Sequence, residues 1–474
     1  MNGKLMTKTA LAIAVAPLMA WGNATMPEGH PVEETPTHYV GPKDPAVLRH
    51  LEEFREWKIG LFMHFGLFST AGLEPSWPLC DSVARKLRQP LDWTGGNADE
   101  FKRQYYSLIR SFNPVRFQPK EWAKFAKNNG FKYLVFTTKH HDGFCLWDTK
   151  TTDFKVTSKE CPFSSDPRAD IVRHVFDAFR AEGLGISCYL SKPDFNHPDY
   201  WDNRGIGVKT KIYPTYDTRK DPARWDRFCA FAQAQALELV RDYGKIDVLW
   251  LDSVSDIHPL ELAEKARKIQ PDLIIANRYD RHVCEDFLTP EGTVPRRPLT
   301  VPWESCITMY DTNDGGWGYY FDENYMSPRA IIHLLIDVVS KGGNLALNVG
   351  PTPAGTLPTA AMKRLESLGA WLKANGAAIY ATHIVSPYRT KDWAYTAGKD
   401  GATYALRLWK EGEKPSRTLT VDCGNSARVA KVTHVASGRE IAFRQDGEVN
   451  LVLTVPDDVR LDDFADAFRL DLRQ

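Results

Sequence analysis

The chain has 474 residues, enough for one large domain and a smaller one. Its 60 basic and 60 acidic side chains cancel, with no long run of either sign. That removes the electrostatic case for nucleic acid or an anionic membrane as the main partner. The 14 Trp, 18 Tyr and 23 Phe supply a large core and the aromatic faces common in sugar-binding clefts.

The N-terminus has the layout of an export signal. Lys4 and Lys8 precede an apolar run from Ala10 to Ala20, followed by the small residues Gly22 and Ala24. Residues 1–24 are therefore expected to be a signal peptide cleaved before Thr25. The run falls short of the about 20 apolar residues that a bilayer span needs. The mature chain is expected in a periplasm or secreted (in a eukaryote, in a lysosomal-type compartment), without membrane insertion. All 8 cysteines lie in the mature part, at no metal-ligand spacing. Several are expected to be buried thiols, and spacing leaves any pairing open.

From Lys58 to about Gly350 short apolar runs alternate with amphipathic stretches. Strands are predicted over 59–64, 131–138, 184–191, 246–253, 272–277, 301–306 and 343–349. Helices are predicted near 119–129, from an Asp170 cap, over 223–242 and over 327–340. Such alternation gives βα units and a parallel sheet. Seven strands with long insertions favour an α/β architecture of the (β/α) barrel type, TIM-like and regular or irregular, over an open doubly wound sheet. No Gly-rich nucleotide fingerprint follows any strand, which counts against the open sheet. Beyond Asn375-Gly376 the pattern becomes short, partly alternating runs split by Gly, Asp and Lys, as in a small antiparallel β-sandwich. The expected division is 25–388 for the barrel and 389–474 for the sandwich.

The strand ends carry the polar residues. Strand one ends in His64-Phe65-Gly66, and the second in Lys139-His140-His141-Asp142-Gly143-Phe144. The fourth ends in Trp250-Leu251-Asp252, and the fifth in Asn277-Arg278. Then follow an acidic stretch from Glu285 and Asp286 to Glu291, Trp303-Glu304 on the sixth strand, and Trp317. In a barrel that rim carries the chemistry. A carboxylate just past a buried strand is costly unless paired or functional, and a second one beside it makes the two-carboxylate arrangement of glycosidases. A metal held by His64, His140, His141 and Asp142 is the alternative. Adjacent histidines on an extended segment are expected to point to opposite faces, and no helical ligand spacing occurs, so no metal is expected.

These residues carry a resemblance. The segments Lys58–Gly66, Glu74-Pro75-Ser76-Trp77, Tyr133–Phe144, Ser191-Lys192-Pro193-Asp194, Asp247–Asp252, Pro302–Cys306, Lys341–Leu345, Asn348–Pro351 and Gly369–Leu372 occur in the order found in retaining α-L-fucosidases of glycoside hydrolase family 29. The resemblance spans roughly residues 45–385. It implies an exo-acting enzyme for terminal α-L-fucosides of oligosaccharides or glycoconjugates, without cofactor, and leaves homo-oligomerisation open. It implies that Asp252 is the nucleophile, that His64, His140 and His141 bind fucose hydroxyls, and that Trp250, Arg278 and Glu74 belong to the same subsite. Trp317 stands where an aromatic meets the sugar's C5 methyl group. For the acid/base, Glu291 comes first, Asp286 second and Glu304 third. Two departures, Phe65 for Trp and Leu190 for Tyr, bear on hydroxyl recognition and the leaving-group site. A fucose-binding pseudoenzyme and a retaining galactosidase are the alternatives.

Overall fold

The structure, a computed structural model, describes residues 39–80, 98–201, 213–253, 255–278, 284–311, 315–422, 429–446 and 450–473. The signal-peptide expectation for 1–24 and Cys423 lie outside these residues. Seven strands form one parallel sheet: β1 Ile59–Met63, β2 Tyr133–Lys139, β3 Gly185–Ser191, β4 Val248–Asp252, β5 Ile274–Asn277, β6 Glu304–Thr308 and β7 Asn344–Asn348. Their order is β5-β4-β3-β2-β1-β7-β6. Almost every strand residue is buried, as a sheet covered on both faces requires.

Helices Pro119–Asn128, Ile171–Ala181, Pro222–Asp242, Pro259–Ile269 and Pro328–Ser340 follow the strands. Most begin with Pro at a first-turn position, where no amide is missed. Asp170, Asp221 and Ser327 cap their helices by accepting from Arg173, Arg224 and Ala330 amides.

Among the described residues no regular strand joins β5 to β6; an irregular segment does. The Asp286 amide donates to the Ile275 carbonyl on β5. On the other side Leu288 donates to Pro302, Cys306 to Pro290, and Gly292 to Cys306. Residues 286–292 thus bridge the two edge strands as an eighth stave, and the barrel is irregular at this place. Asp286 stands low on the stave, beside mid-β5, and Glu291 stands high, bridged to Cys306 of β6.

The sixth strand corrects the sequence reading. It runs over Glu304–Thr308 rather than 301–306, because Pro302 has no amide to give the ladder. Glu304 is therefore the first residue of β6, at the end of the barrel opposite the rim. Side chains at alternate positions fill the interior: Phe62, Tyr133, Val135, Tyr189, Val248, Trp250, Ile274, Ala276, Cys306 and Ala346.

After helix Thr359–Asn375 the chain forms two antiparallel sheets. One holds β8 Thr382–His383, β9 Trp393–Gly398, β10 Thr403–Leu408, β12 Val429–His434 and β15 Ala465–Leu472. The other holds β11 Thr418–Asp422, β13 Ala442–Asp446 and β14 Asn450–Thr454. Their shared core includes Trp393, Tyr395, Trp409, Leu453 and Phe468. Strands β8 and β9 were not anticipated, and β8 already belongs to this sheet. The barrel grips the sandwich through side chains on its last helices. Arg329 donates to the Trp409 carbonyl at 2.6 Å and Trp371 to the Ala465 carbonyl at 2.7 Å. Among the described residues seven cysteines are buried, and no helix is long and apolar enough to cross a membrane.

Candidate active site

A cavity of about 310 Å³ opens at the carboxyl ends of the barrel strands. Its walls follow from the period-two alternation of the interior positions. His64 lies two residues past Phe62, Asp252 two past Trp250, and Arg278 two past Ala276. Each is the next inward position above the packed interior. All three line the cavity, together with His140, His141, Glu291 and Trp317.

Asp252 ends β4 and is 7 % exposed. The Tyr189 hydroxyl donates to its Oδ2, and the Arg278 Nε lies 3.4 Å from its Oδ1. Burial works against its charge, but Arg278, His141 and the Tyr189 hydroxyl outweigh that and hold the carboxyl below its ordinary value. The same guanidinium donates through Nη2 to Glu291. One Arg thus bridges two carboxylates across the cavity wall, keeping both within reach of a single small ligand.

The three histidines are buried and neutral. Burial brings His64 and His141 down to about 4 and lowers His140 well below the ordinary value. His64 Nδ1 lies 2.7 Å from Asn348 Oδ1, and His140 Nδ1 lies 2.7 Å from Ser76 Oγ. His141 Nε2 sits 3.7 Å from Asp252 Oδ2. The expectation that His140 and His141 face opposite ways does not hold: their ring centroids are 4.2 Å apart and both line the cavity. Strand β2 ends at Lys139, and the chain then turns, with the Gly143 amide donating to the His140 carbonyl. Gly143 has φ +85°, and a Cβ there would lie 2.3 Å from Asp194 Oδ1, so the turn needs glycine.

The remaining sequence candidates lie behind the walls. Trp250 is fully buried beneath the cavity, stacked on Tyr189 at 5.3 Å. Its indole N–H donates to Glu304 Oε1 at 3.2 Å, and Tyr133 donates to the other oxygen. Glu304 does not line the cavity. Neither does Asp286, whose Oδ2 accepts from the Arg267 guanidinium at 2.5 Å and the Ile275 amide at 2.7 Å. Glu74 is also off the lining: its Oε2 accepts from the Gly316 amide at 2.8 Å and from the Tyr320 hydroxyl, bracing the segment that carries Trp317. Of the three acid/base candidates only Glu291 reaches the cavity.

Sequence reasoning missed Tyr189, Ser253, Trp77 and Phe62, which also line the cavity. Tyr189 pairs in register with Trp250 and so shares its inward parity with Asp252, a relation that only the register of β3 against β4 reveals. Trp77 sits on an insertion after β1, where no periodicity applies.

Ligand atoms of His140, His141 and Asp252 all lie within 4.8 Å of one another, a spacing a metal ion could use. The donor set fits one poorly. Tyr189 already donates to Asp252, Ser76 engages His140 Nδ1, and the Arg278 cation beside Asp252 would repel a second positive charge.

Comparison with known proteins agrees with this geometry. A family model described as alpha-L-fucosidase matches residues 30–377. The solved structure of alpha-L-fucosidase isoenzyme 1 from Paenibacillus thiaminolyticus is 30% identical, covers 90% of this chain and 100% of its own, and superposes with a TM-score of 0.74. The Thermotoga maritima alpha-fucosidase is 26% identical over 88% of this chain and 96% of its own, with a TM-score of 0.70. Human tissue alpha-L-fucosidase is 25% identical over 441 residues, 85% of this chain and 84% of its own. A parallel barrel with this constellation at its rim, matched along most of its length, places the chain in the alpha-L-fucosidase family, glycoside hydrolase family 29.

Proposed function

We propose that this chain is an exported exo-α-L-fucosidase that hydrolyses terminal α-L-fucosides with retention of configuration. In this reading residues 1–24 are removed on export, the barrel carries catalysis, and the sheets that begin at β8, ahead of the expected boundary at 388/389, form the docked sandwich. The observation that carries it is Arg278 bridging Asp252 and Glu291 at the mouth of a small cavity walled by neutral histidines and Trp317.

Asp252, held ionised, attacks the anomeric carbon. The glycosidic C–O bond breaks as Glu291 passes its proton to the departing oxygen, leaving a fucosyl ester on Asp252. Glu291, now ionised, takes a proton from water, whose oxygen attacks the anomeric carbon and releases Asp252. His64, His140 and His141 hydrogen-bond the sugar hydroxyls, and Trp317 meets the C5 methyl group. Trp250, Glu304 and Glu74 act from behind, and Asp286 anchors the stave that carries Glu291. No metal or organic cofactor takes part. The Thermotoga maritima relative solved in complex with fucose supports the substrate class.

The test is hydrolysis of an aryl α-L-fucoside against the matching galactoside, with and without chelator. Fucoside turnover that survives chelation is expected, and Asp252→Ala should lose on the order of 10³-fold in kcat. Glu291→Ala should spare an activated aryl fucoside more than an oligosaccharide and be accelerated by azide, giving an α-fucosyl azide. Azide rescue in Asp286→Ala or Glu304→Ala instead would move the acid/base. Preference for the galactoside, or binding without turnover, would overturn the reading.

A further inference from the structure

Asn348, the last residue of β7, is fully buried and does not line the cavity, yet it joins two of the cavity's walls. Its Nδ2 donates to the Trp317 carbonyl at 2.9 Å, and its Oδ1 lies 2.7 Å from His64 Nδ1. A backbone carbonyl can only accept, so the amide nitrogen must face Trp317 and the amide oxygen must face His64. An amide oxygen can only accept in turn, so His64 Nδ1 must carry the ring proton. A neutral imidazole has one N–H, which leaves Nε2 as a bare lone pair. His64 lines the cavity, and Nε2 is its remaining polar atom.

We propose that Asn348 is a positioning residue that sets the hydrogen-bond polarity of the sugar pocket, making His64 an acceptor toward the ligand while tethering the Trp317 wall. The sugar hydroxyl that meets His64 must therefore donate its proton. This polarity matters because Arg278 offers only donors, and Asp252 is engaged by Tyr189 and Arg278. The inference rests on the fucosidase reading for the identity of the ligand, but the tautomer of His64 is a property of the free protein.

The test has two parts. Nitrogen-15 NMR of histidine-labelled free protein at neutral pH, with His64→Gln used to identify the resonance, should show His64 as the neutral Nδ1–H tautomer. In Asn348→Ala that signal should shift toward the Nε2–H form. Binding of L-fucose and its 2-, 3- and 4-monodeoxy and monofluoro analogues is then measured by calorimetry, which involves no turnover. Fluorine can accept weakly but cannot donate. At the hydroxyl facing His64, fluorine should be no better than hydrogen, both weakening binding about tenfold, the scale of one hydrogen bond. In Asn348→Ala that gap between fucose and its analogues should shrink. An Nε2–H tautomer or an imidazolium in the parent protein would overturn the proposal. So would an unchanged tautomer in the variant, or fluoro analogues that bind like fucose at all three positions. If Asn348→Ala does not fold, the parent's tautomer and analogue series still decide. Failure to bind fucose at all would sink the fucosidase reading and leave the NMR result standing on its own.

Discussion

Replacing Glu304 by Gln isolates one buried titration. Glu304 is 1 % exposed, and burial pushes its carboxyl up to about 7 from 4.5, against the Tyr133 and Trp250 donors that favour its charge. The folded state therefore binds its proton more tightly than the unfolded chain does. Its contribution is fully present below about pH 4.5 and is lost as pH rises through about 7. At about 1.4 kcal/mol per unit, the loss comes to roughly 3 kcal/mol. Gln has the same shape and does not titrate. Its Oε1 can keep the Trp250 N–H and its amide N–H can reach the Tyr133 oxygen. Urea midpoints should thus place the variant's stability roughly 3 kcal/mol higher relative to the parent at pH 8 than at pH 4.5, with m unchanged. Glu74, also pushed up to about 7 by burial, titrates in both proteins and drops out of the difference. A difference that stays flat with pH, or one that favours the parent as pH rises, would refute the reasoning. Fucoside turnover should stay near that of the parent, because Trp250 keeps its partner.

Two further outcomes follow from the same geometry. Gly350→Ala would put a Cβ 2.3 Å from the Gly318 carbonyl carbon and 2.4 Å from the Tyr319 amide, backbone that cannot swing aside. It should cost about 1–3 kcal/mol and raise KM by shifting Trp317, measurable by denaturation and steady-state kinetics; a silent substitution would mean that the segment is free to move. His64 and His141, brought down to about 4, resist protonation that the unfolded chain accepts near 6.5. Each should therefore cost stability as pH falls from about 6.5 toward 4, at about 1.4 kcal/mol per unit. Fucoside binding should hold across that window and fail only near pH 4, so an acid limb near 6.5 would show that these histidines titrate normally.

Much of this was legible in the chain. The apolar runs at 131–138, 184–191 and 246–253 are short and β-rich, and their spacing by helical segments forces a parallel sheet. Asp170 and Pro328 announce helix starts by local chemistry alone. His64, Asp252 and Arg278 were found because polar residues stand where apolar strands stop. Tyr189 was overlooked because it lies inside a strand, where a polar residue reads as part of the core until register is known. Asn348, at the end of β7, was overlooked because its partners Trp317 and His64 are distant in sequence.

What the sequence determined by itself is local: strands, helices, the polar residues at strand ends, and a family resemblance spread over most of the barrel. What only the tertiary structure decided is which of those residues meet. Three acidic residues, Asp286, Glu291 and Glu304, read alike along the chain. Hydrogen bonds between residues 286–292 and β6 raise Glu291 to the rim and leave Asp286 against Arg267, and the strand's start at Glu304 puts that carboxyl at the far end of the barrel. Those assignments depend on the register between segments distant in sequence, which no local pattern encodes.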